Sequence, residues 1–514
     1  MVKGVCGIAG IYGGADRARE HGLAMLGRLE HRGPDGRGER RFGNAWLGHT
    51  RLSIVDLEGG DQPLSSADGE WLMVGNGEVY NHEDIREELG RARFTSGSDN
   101  EAALHLVEQE GPQALERLRG MYAVLIAGPD GTFVAARDPV GVKPLYWTPP
   151  TAQREEAAFA SELVAFEPAA REHVELFPPG HFWTPQEGLV RFAHAVPTAL
   201  VERFPRPLSP ADDTPAAILD ALRDMLVLAV ERRMMADVRV GLFLSGGLDS
   251  SIVAAIAARS ARERGYVLPT FAVGTQGSSD LAAARCVAAH LGTEHHERVY
   301  TADEARDVLP EVVRSIESFD PSLVRSAVPN FFLSEMAAEH VKVVLTGEGA
   351  DELFAGYDYV SELTSDEELH AELVRTVENL HGLNLQRCDR VTMAHGLEGR
   401  VPFLDLDLIE LALSIPAGWK LTGPGRPEKR ILREAFTDWL PDEFLWRKKA
   451  EFGDGSGAAG ALLEQEPDRE RVVSDDPWEG ELARTDEERA YLEIFCEHLP
   501  GVVPEQTLTR FATA

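Results

Sequence analysis

Two short stretches of the sequence hold residue types that can do chemistry together. The first, Ser245-Gly246-Gly247-Leu248-Asp249-Ser250-Ser251, follows the apolar run 238–244 and precedes the helix-like segment 252–259. Two glycines let backbone N–H groups approach an anion, the following helix turns its positive end onto the same spot, and three hydroxyls add donors. Asp249 can hold a magnesium ion that bridges phosphate oxygens. No lysine follows the glycines and the spacing is shorter than in a Walker loop. The stretch therefore reads as a pyrophosphate cradle, suited to an enzyme that splits ATP between its α and β phosphates and leaves AMP on an acyl group. The second stretch, Thr346-Gly347-Glu348-Gly349-Ala350-Asp351-Glu352, follows the apolar run 341–345. It sets Glu348 and Asp351 for proton transfer or magnesium binding. If both runs are strands of one parallel sheet, the two loops open on the same edge and a nucleotide fits between them.

Further on, Trp446-Arg447-Lys448-Lys449-Ala450-Glu451-Phe452-Gly453-Asp454-Gly455 puts two of only seven lysines before a glycine-rich segment. Lys449 on such a loop can close over phosphates and stabilise developing charge. Near the chain start lies Cys6-Gly7-Ile8-Ala9-Gly10. A cysteine that becomes the first residue can use its own α-amine as the base for its thiol. Arg51, in Arg51-Leu52-Ser53-Ile54-Val55, offers a cation for a carboxylate. Asn76-Gly77-Glu78 offers a side-chain amide and a glycine N–H for an oxyanion. Asp99 can bind an ammonium group. Singly, each of these reads as an ordinary turn residue.

The elements that must position these residues change character along the chain. Residues 6–205 alternate short β-type runs, 71–74, 122–126 and 132–136, with helical pieces at 17–30 and 102–110, which suits an α+β sandwich. A Pro-rich connector around 205–215 follows. A long amphipathic helix at 216–235 then leads into strand-then-helix order, with strands at 238–244, 269–273 and 341–345 and helices at 281–291 and 303–318. That order is the mark of a parallel doubly wound sheet. The expected domains are thus 6–205 and 214–460, with 461–514 as an acidic, partly flexible tail.

Composition narrows the partners. At 514 residues, 43% of them hydrophobic, the chain can bury a large core, and no apolar run approaches the roughly 20 residues of a membrane span. A formal charge of -34 argues against a nucleic-acid backbone as partner. No signal-peptide order opens the sequence, which points to the cytoplasm. Cys6, Cys286, Cys388 and Cys496 show no zinc-type spacing, and Cys286, inside a helical pattern, is expected in the core.

Together these strings resemble the glutamine-dependent asparagine synthetases. The likeness also includes His31-Arg32-Gly33-Pro34-Asp35, Val79-Tyr80-Asn81, Ser318-Phe319-Asp320 and Arg400-Val401-Pro402-Phe403-Leu404-Asp405, in the family's order and over nearly the whole chain. The resemblance implies an N-terminal-nucleophile αββα glutaminase sandwich, followed by a parallel-sheet synthetase domain of the PP-loop type, with an ammonia channel between them. It implies that Cys6 attacks glutamine, that Asn76 and Gly77 hold the oxyanion, and that Arg51, Leu52, Ser53, Ile54, Val55, Glu78 and Asp99 surround the substrate. It implies ATP contacts at Phe243, Leu244, Ser245, Gly246, Gly247, Asp249, Ser250, Val273, Thr346, Gly347 and Arg325. Mg2+ would sit on Asp249 and Asp351, and Glu348 and Lys449 would be catalytic. Aspartate, glutamine and ATP are the implied substrates, and a homodimer fits the resemblance.

Two departures stand out. Met1-Val2-Lys3-Gly4-Val5 precede Cys6, so its α-amine is in a peptide bond unless translation starts at Val5, a propeptide is cleaved, or the glutaminase is impaired. Arg390 stands where some members carry Lys, and the two cations differ in geometry. A related enzyme amidating another carboxylate, or closing a lactam, is the alternative reading.

Overall fold

The computed structural model describes residues 6–14, 17–152, 154–202, 215–363, 365–420, 428–447 and 483–509. The connector 203–214 and the segment from Lys448 to 482, with Lys449 and the glycine-rich loop, lie outside the described residues.

The N-terminal half consists of two six-stranded sheets face to face, antiparallel throughout. Alternation along single strands builds the layers. In Gly7–Tyr12, Ile8 joins the core between the sheets, with Leu47, Leu125 and Trp183, while Ala9 and Ile11 face outward onto Met25 and Leu26 of the helix Ala18–Gly27. In Gly120–Ala127, Ala123 and Leu125 face inward, and Tyr122, Val124 and Ile126 pack under the helix Glu101–Glu110. The result is helix, sheet, sheet, helix. The segment Asn76-Gly77-Glu78, read singly as turn residues, lies inside the strand Leu72–Val79.

In the C-terminal half, five strands form one all-parallel sheet in the order Glu294–Val299, Pro269–Gly274, Val240–Phe243, Val343–Leu345, Glu398–Arg400. The chain order reverses between the third and fourth, and ligands of such sheets bind beyond strand C-termini at that switch point. The run 238–244 becomes a strand only at Val240–Phe243, because Asp237 is engaged in bonds with the loop of Ile54 and Asp56. The helix expected at 303–318 is two, Ala302–Asp307 and Leu309–Ile316, since Pro310 has no N–H to continue the first.

One further expectation fails. Cys286 is exposed, not core: along Ser279–Leu291 the buried face carries Leu281, Ala284, Val287, Ala288 and Leu291, and Cys286 falls on the opposite side. Within the segment 461–514 the described residues include the helix Asp486–His498, whose Tyr491, Leu492 and Phe495 are buried against Phe319 and its neighbours. Among the described residues no helix is long and apolar enough to cross a membrane.

Candidate active site

Residues of the two halves form two separate constellations. In the N-terminal one, Cys6 enters the central strand Gly7–Tyr12, and its Sγ lies 3.7 Å from the Leu52 carbonyl oxygen. Burial pushes its thiol up to about 12, so the sulfur is a thiol at neutral pH and needs a base to become a nucleophile. Asn76 is completely buried, and neither end of its side-chain amide meets a hydrogen-bond partner among the described residues. A buried amide with both ends unmatched costs free energy unless a ligand completes it. Gly77 has φ +130°, and a Cβ there would strike the Met121 carbonyl at 1.9 Å, so only glycine fits. Its own carbonyl accepts from Asn100 Nδ2 at 2.8 Å, which fixes the peptide.

The remaining predicted groups are placed less simply. Arg51 is nearly buried and its guanidinium is bonded to the Asp61 carboxylate at 2.7 Å and to the Asp56 carbonyl at 2.5 Å. It thus already holds a carboxylate. Asp99 accepts from the Val79 N–H at 2.6 Å, and burial raises its carboxyl above the usual range. Glu78 is raised well above the usual range by burial, although Arg400 of the other half lies 3.1 Å away. Leu52 and Ile54 point into a core they share with Leu242, Leu244 and Leu248 of the C-terminal sheet, and Val55 packs on its edge. Ser53 is tied through its N–H to Asp35, which also pairs with Lys342 of the other half at 2.6 Å.

The C-terminal constellation surrounds a cavity of about 430 Å³ at the predicted sheet edge. Leu242 lies beside Leu345 in register, so the two loops leave the sheet together. They touch: a Cβ on Gly347 would sit 3.1 Å from Asp249 Cβ. Gly246 has φ +73°, and a Cβ there would press on the Ala283 backbone at 2.6 Å. The Ser245 and Ser250 hydroxyls lie 3.0 Å apart, and the Gly247 N–H donates to Ser245 Oγ at 3.2 Å, which holds the loop in its curl. Phe243, Leu244 and Val273 are among the apolar residues that line the cavity, and Ser245, Gly247, Asp249, Ser250, Thr346, Gly347, Glu348 and Asp351 line it as well.

Several cations there were missed. Lys429, buried, places its Nζ 2.5 Å from Asp249 Oδ2 and 2.8 Å from Asp351 Oδ1, and these two carboxylates raise it above the usual lysine range against the pull of burial. Arg387 pairs with Glu348, and Arg447 donates to the Gly246 carbonyl oxygen at 3.0 Å. The depletion of lysine was a signal for Lys429, whereas Arg387 is one of many arginines. Its helix Asn384–Ala394 turns Asn384, Arg387 and Cys388, spaced three and four apart, toward the cavity. Glu352 also lines the cavity, accepting from Tyr357 Oη at 2.6 Å, and burial lifts its carboxyl to about 7. Arg325 does not reach the cavity wall. It forms an ion pair with Glu487 of the helix Asp486–His498, a partner supplied by the segment expected to be loose.

Asp249 and Asp351 suit magnesium, since both are hard oxygen donors aimed at one point, and that they already share one cation shows the point favours positive charge.

A buried charge network joins the constellations. Arg32, fully buried, donates to the Cys6 carbonyl oxygen at 3.2 Å, to Glu162 at 2.6 Å and to Asp389 of the other half at 3.0 Å. Arg390 reaches back to the Ser161 carbonyl oxygen at 2.9 Å and to Glu162 at 3.0 Å, and lies 3.1 Å from Glu317. Burial would raise Glu162, but His31, Arg390 and Arg32 hold it well below the usual carboxylate range. At Arg390 a planar guanidinium serves two carboxylates and a carbonyl at once, which a lysine ammonium cannot do in the same geometry.

Comparison with known proteins agrees with this division. The glutamine amidotransferase domain family matches residues 5–180, and the asparagine synthase family matches 221–367 and 361–499. Asparagine synthetase [glutamine-hydrolyzing] 2 of Arabidopsis thaliana is 39% identical over 474 residues, covering 88% of this chain and 79% of its own. A probable asparagine synthetase [glutamine-hydrolyzing] of Schizosaccharomyces pombe is 38% identical over 535 residues, covering 96% and 94%. The enzyme of Triphysaria versicolor is 40% identical over 473 residues, covering 88% and 78%.

Proposed function

The chain belongs to the glutamine-hydrolysing asparagine synthetases, and from that premise we propose that it converts L-aspartate, L-glutamine, ATP and water to L-asparagine, L-glutamate, AMP and diphosphate. The carrying observation is the cavity itself, with the Ser245 loop on one wall and Glu348, held by Arg387, on the facing loop.

In the N-terminal site, glutamine enters with its α-carboxylate taking the place of Asp61 on Arg51, and its ammonium facing Asp99 and Glu78. The Cys6 thiol, its proton drawn off by the residue's own freed α-amine, attacks the side-chain amide carbon. The Asn76 amide N–H and the Gly77 N–H receive the negative charge that develops on oxygen. The α-ammonium returns that proton to the amide nitrogen, the C–N bond breaks to release ammonia and leave a thioester on Cys6, and water later hydrolyses the thioester to glutamate and the free thiol.

Ammonia in water is mostly protonated and then has no lone pair to attack with. A dry passage preserves it. The core shared by Leu52, Ile54, Met121, Val142 and Val401, against which Cys6 packs, is the apolar interior through which it travels.

In the C-terminal site, adenine and ribose lie against Phe243, Leu244 and Val273, and the pyrophosphate lies in the Ser245 curl beneath Arg447. Magnesium on Asp249 and Asp351 would neutralise phosphate charge when bound. The β-carboxylate of aspartate displaces diphosphate and becomes an acyl adenylate. Ammonia attacks the acyl carbon, Glu348 takes the proton, and AMP leaves. Lys449, the cation that the sequence offers for charge developing on the phosphates, lies outside the described residues. Cys6 works as the first residue of the active protein, with residues 1–5 absent.

The test is a coupled assay of diphosphate and asparagine, using protein whose first residue has been fixed by intact mass. The expected result is one asparagine per diphosphate with either glutamine or ammonium as donor. Diphosphate release that does not depend on aspartate rejects the reading. Full glutaminase activity in protein beginning at Met1 rejects the freed amine.

A further inference from the structure

We propose that the edge of the synthetase sheet remote from the nucleotide holds a divalent ion of the zinc class, bound by Glu294, His296 and His340. The ligand atoms of these three lie within 4.8 Å of one another, and among the described residues this is the one such group of histidine, cysteine and carboxylate side chains. Two imidazoles and one carboxylate make a donor set that zinc and its neighbours prefer and that magnesium does not.

The strand Glu294–Val299 is the sheet's outer edge, and residues two apart on a strand share a face, so Glu294 and His296 project together. The third ligand comes from the turn after the helix Pro321–Ala337, which packs over that same face. Phe271 is in register with His296 and stacks on its ring at 5.4 Å and 18°. It also meets the His340 ring at 5.7 Å, and the two imidazoles lie 4.0 Å apart, centroid to centroid. An aromatic wall thus holds both rings side by side.

The carboxylate is oriented as well. Arg239 binds Glu294 Oε2 at 2.6 Å, while Oε1 points to His296 Nε2 at 3.3 Å. Oε1 is therefore the oxygen free to ligate, with Arg239 as the outer partner that fixes it. Zinc distances of about 2.0–2.2 Å require ligand atoms roughly 3.3 Å apart; Glu294 Oε1 and His296 Nε2 already stand at 3.3 Å, and His340 closes from within 4.8 Å of them. Water fills the fourth position. Arg239 is the cation facing the site, and it lies at the surface, where solvent screens its repulsion.

The strand begins at Glu294, whereas the nucleotide loops leave the opposite, C-terminal ends of the neighbouring strands. The site is therefore separate from Asp249 and Asp351. It would tie the edge strand to the helix Pro321–Ala337, whose Ser322 and Asn330 line the nucleotide cavity.

The experiment is a titration of the chelator-treated full chain with zinc chloride, without nucleotide, read by calorimetry and by the thermal transition. Expected are one site in the parent protein, its loss in both His296→Ala and His340→Ala, and at least tenfold weaker binding in Glu294→Gln. His295→Ala is the control, because that ring faces the other side of the strand, 3.0 Å from Thr270 Oγ1, and should leave the site intact. Unchanged zinc stoichiometry in His340→Ala, or no binding by the parent protein, overturns the proposal. His340 is exposed, so its variant keeps the fold and decides the matter even if His296→Ala does not.

Discussion

The two sites meet their charge in opposite ways. Around Cys6 a buried amide is left open: among the described residues Asn76 has no side-chain hydrogen-bond partner, and the sulfur is held as a thiol by burial. Around the Ser245 loop the acidic groups are matched by internal cations, Asp249 and Asp351 by Lys429 and Glu348 by Arg387. The difference follows from what each site must hold. A small neutral amide can wait for an unmet hydrogen-bonding group to be completed by substrate. A triphosphate brings several negative charges, and carboxylates kept near it must be neutralised first or they repel it. Acidic groups paired with internal cations therefore mark the phosphate site, and an unmatched buried amide marks the amide site.

The contrast can be broken most sharply at the sulfur. Cys6→Ala is expected to abolish asparagine formation from glutamine while leaving that from ammonium within about twofold, because the amide chemistry is confined to the first site. Equal loss with both donors would mean that Cys6 also supports the second. Glu348→Gln removes a proton acceptor and leaves Arg387 unpaired. Activity with both donors should fall by about 10²–10⁴-fold, the range for a positioned general base, while the hydrolysis of glutamine persists.

The network between the sites is the next target. Arg390→Lys keeps the charge but not the fork that reaches Glu162, Glu317 and the Ser161 carbonyl, so one buried carboxylate loses its direct partner. A loss of about 2–4 kcal/mol in denaturant unfolding is expected, with activity from glutamine falling more than activity from ammonium. Equal decline would assign Arg390 to stability alone.

The smallest effect concerns Glu352, whose carboxyl burial lifts to about 7 from an ordinary 4.5. The raised value means that the neutral form is favoured in the fold. Its contribution is fully present below pH 4.5 and is lost as pH rises through 7. Glu352→Gln should match the parent protein near pH 5 and exceed it by about 1–3 kcal/mol at pH 8.5. A difference independent of pH would show that the carboxyl is already ionised.

What the sequence revealed divides along similar lines. The Ser245 and Glu348 loops were legible because glycines after apolar runs report backbone geometry directly, and the parallel register of Leu242 with Leu345 made both loops meet. Cys286 misled because a helical pattern gives the period of a face but not its phase, which packing sets. The partner of Arg325, Glu487, arrives from a segment whose composition gave no hint of packing. Asn76 looked like a turn residue, since a Gly within a strand and a turn Gly read alike until the Met121 carbonyl is seen against it. Lys429 and Arg390 required three-dimensional neighbours: a lone cation in a sequence does not say which carboxylates will face it.

The fully buried Arg32 has a consequence of another kind. It touches the Cys6 carbonyl, Glu162 and Asp389, so its solvation is supplied jointly by residues hundreds of positions apart. Neither half is therefore a module that recombination can exchange freely. A chimera joining this N-terminal half to a foreign synthetase must import Asp389 and Arg390 with it, or leave Arg32 and Glu162 each short of a partner in a buried seam. Inheritance of the pair as one piece is written into that single side chain.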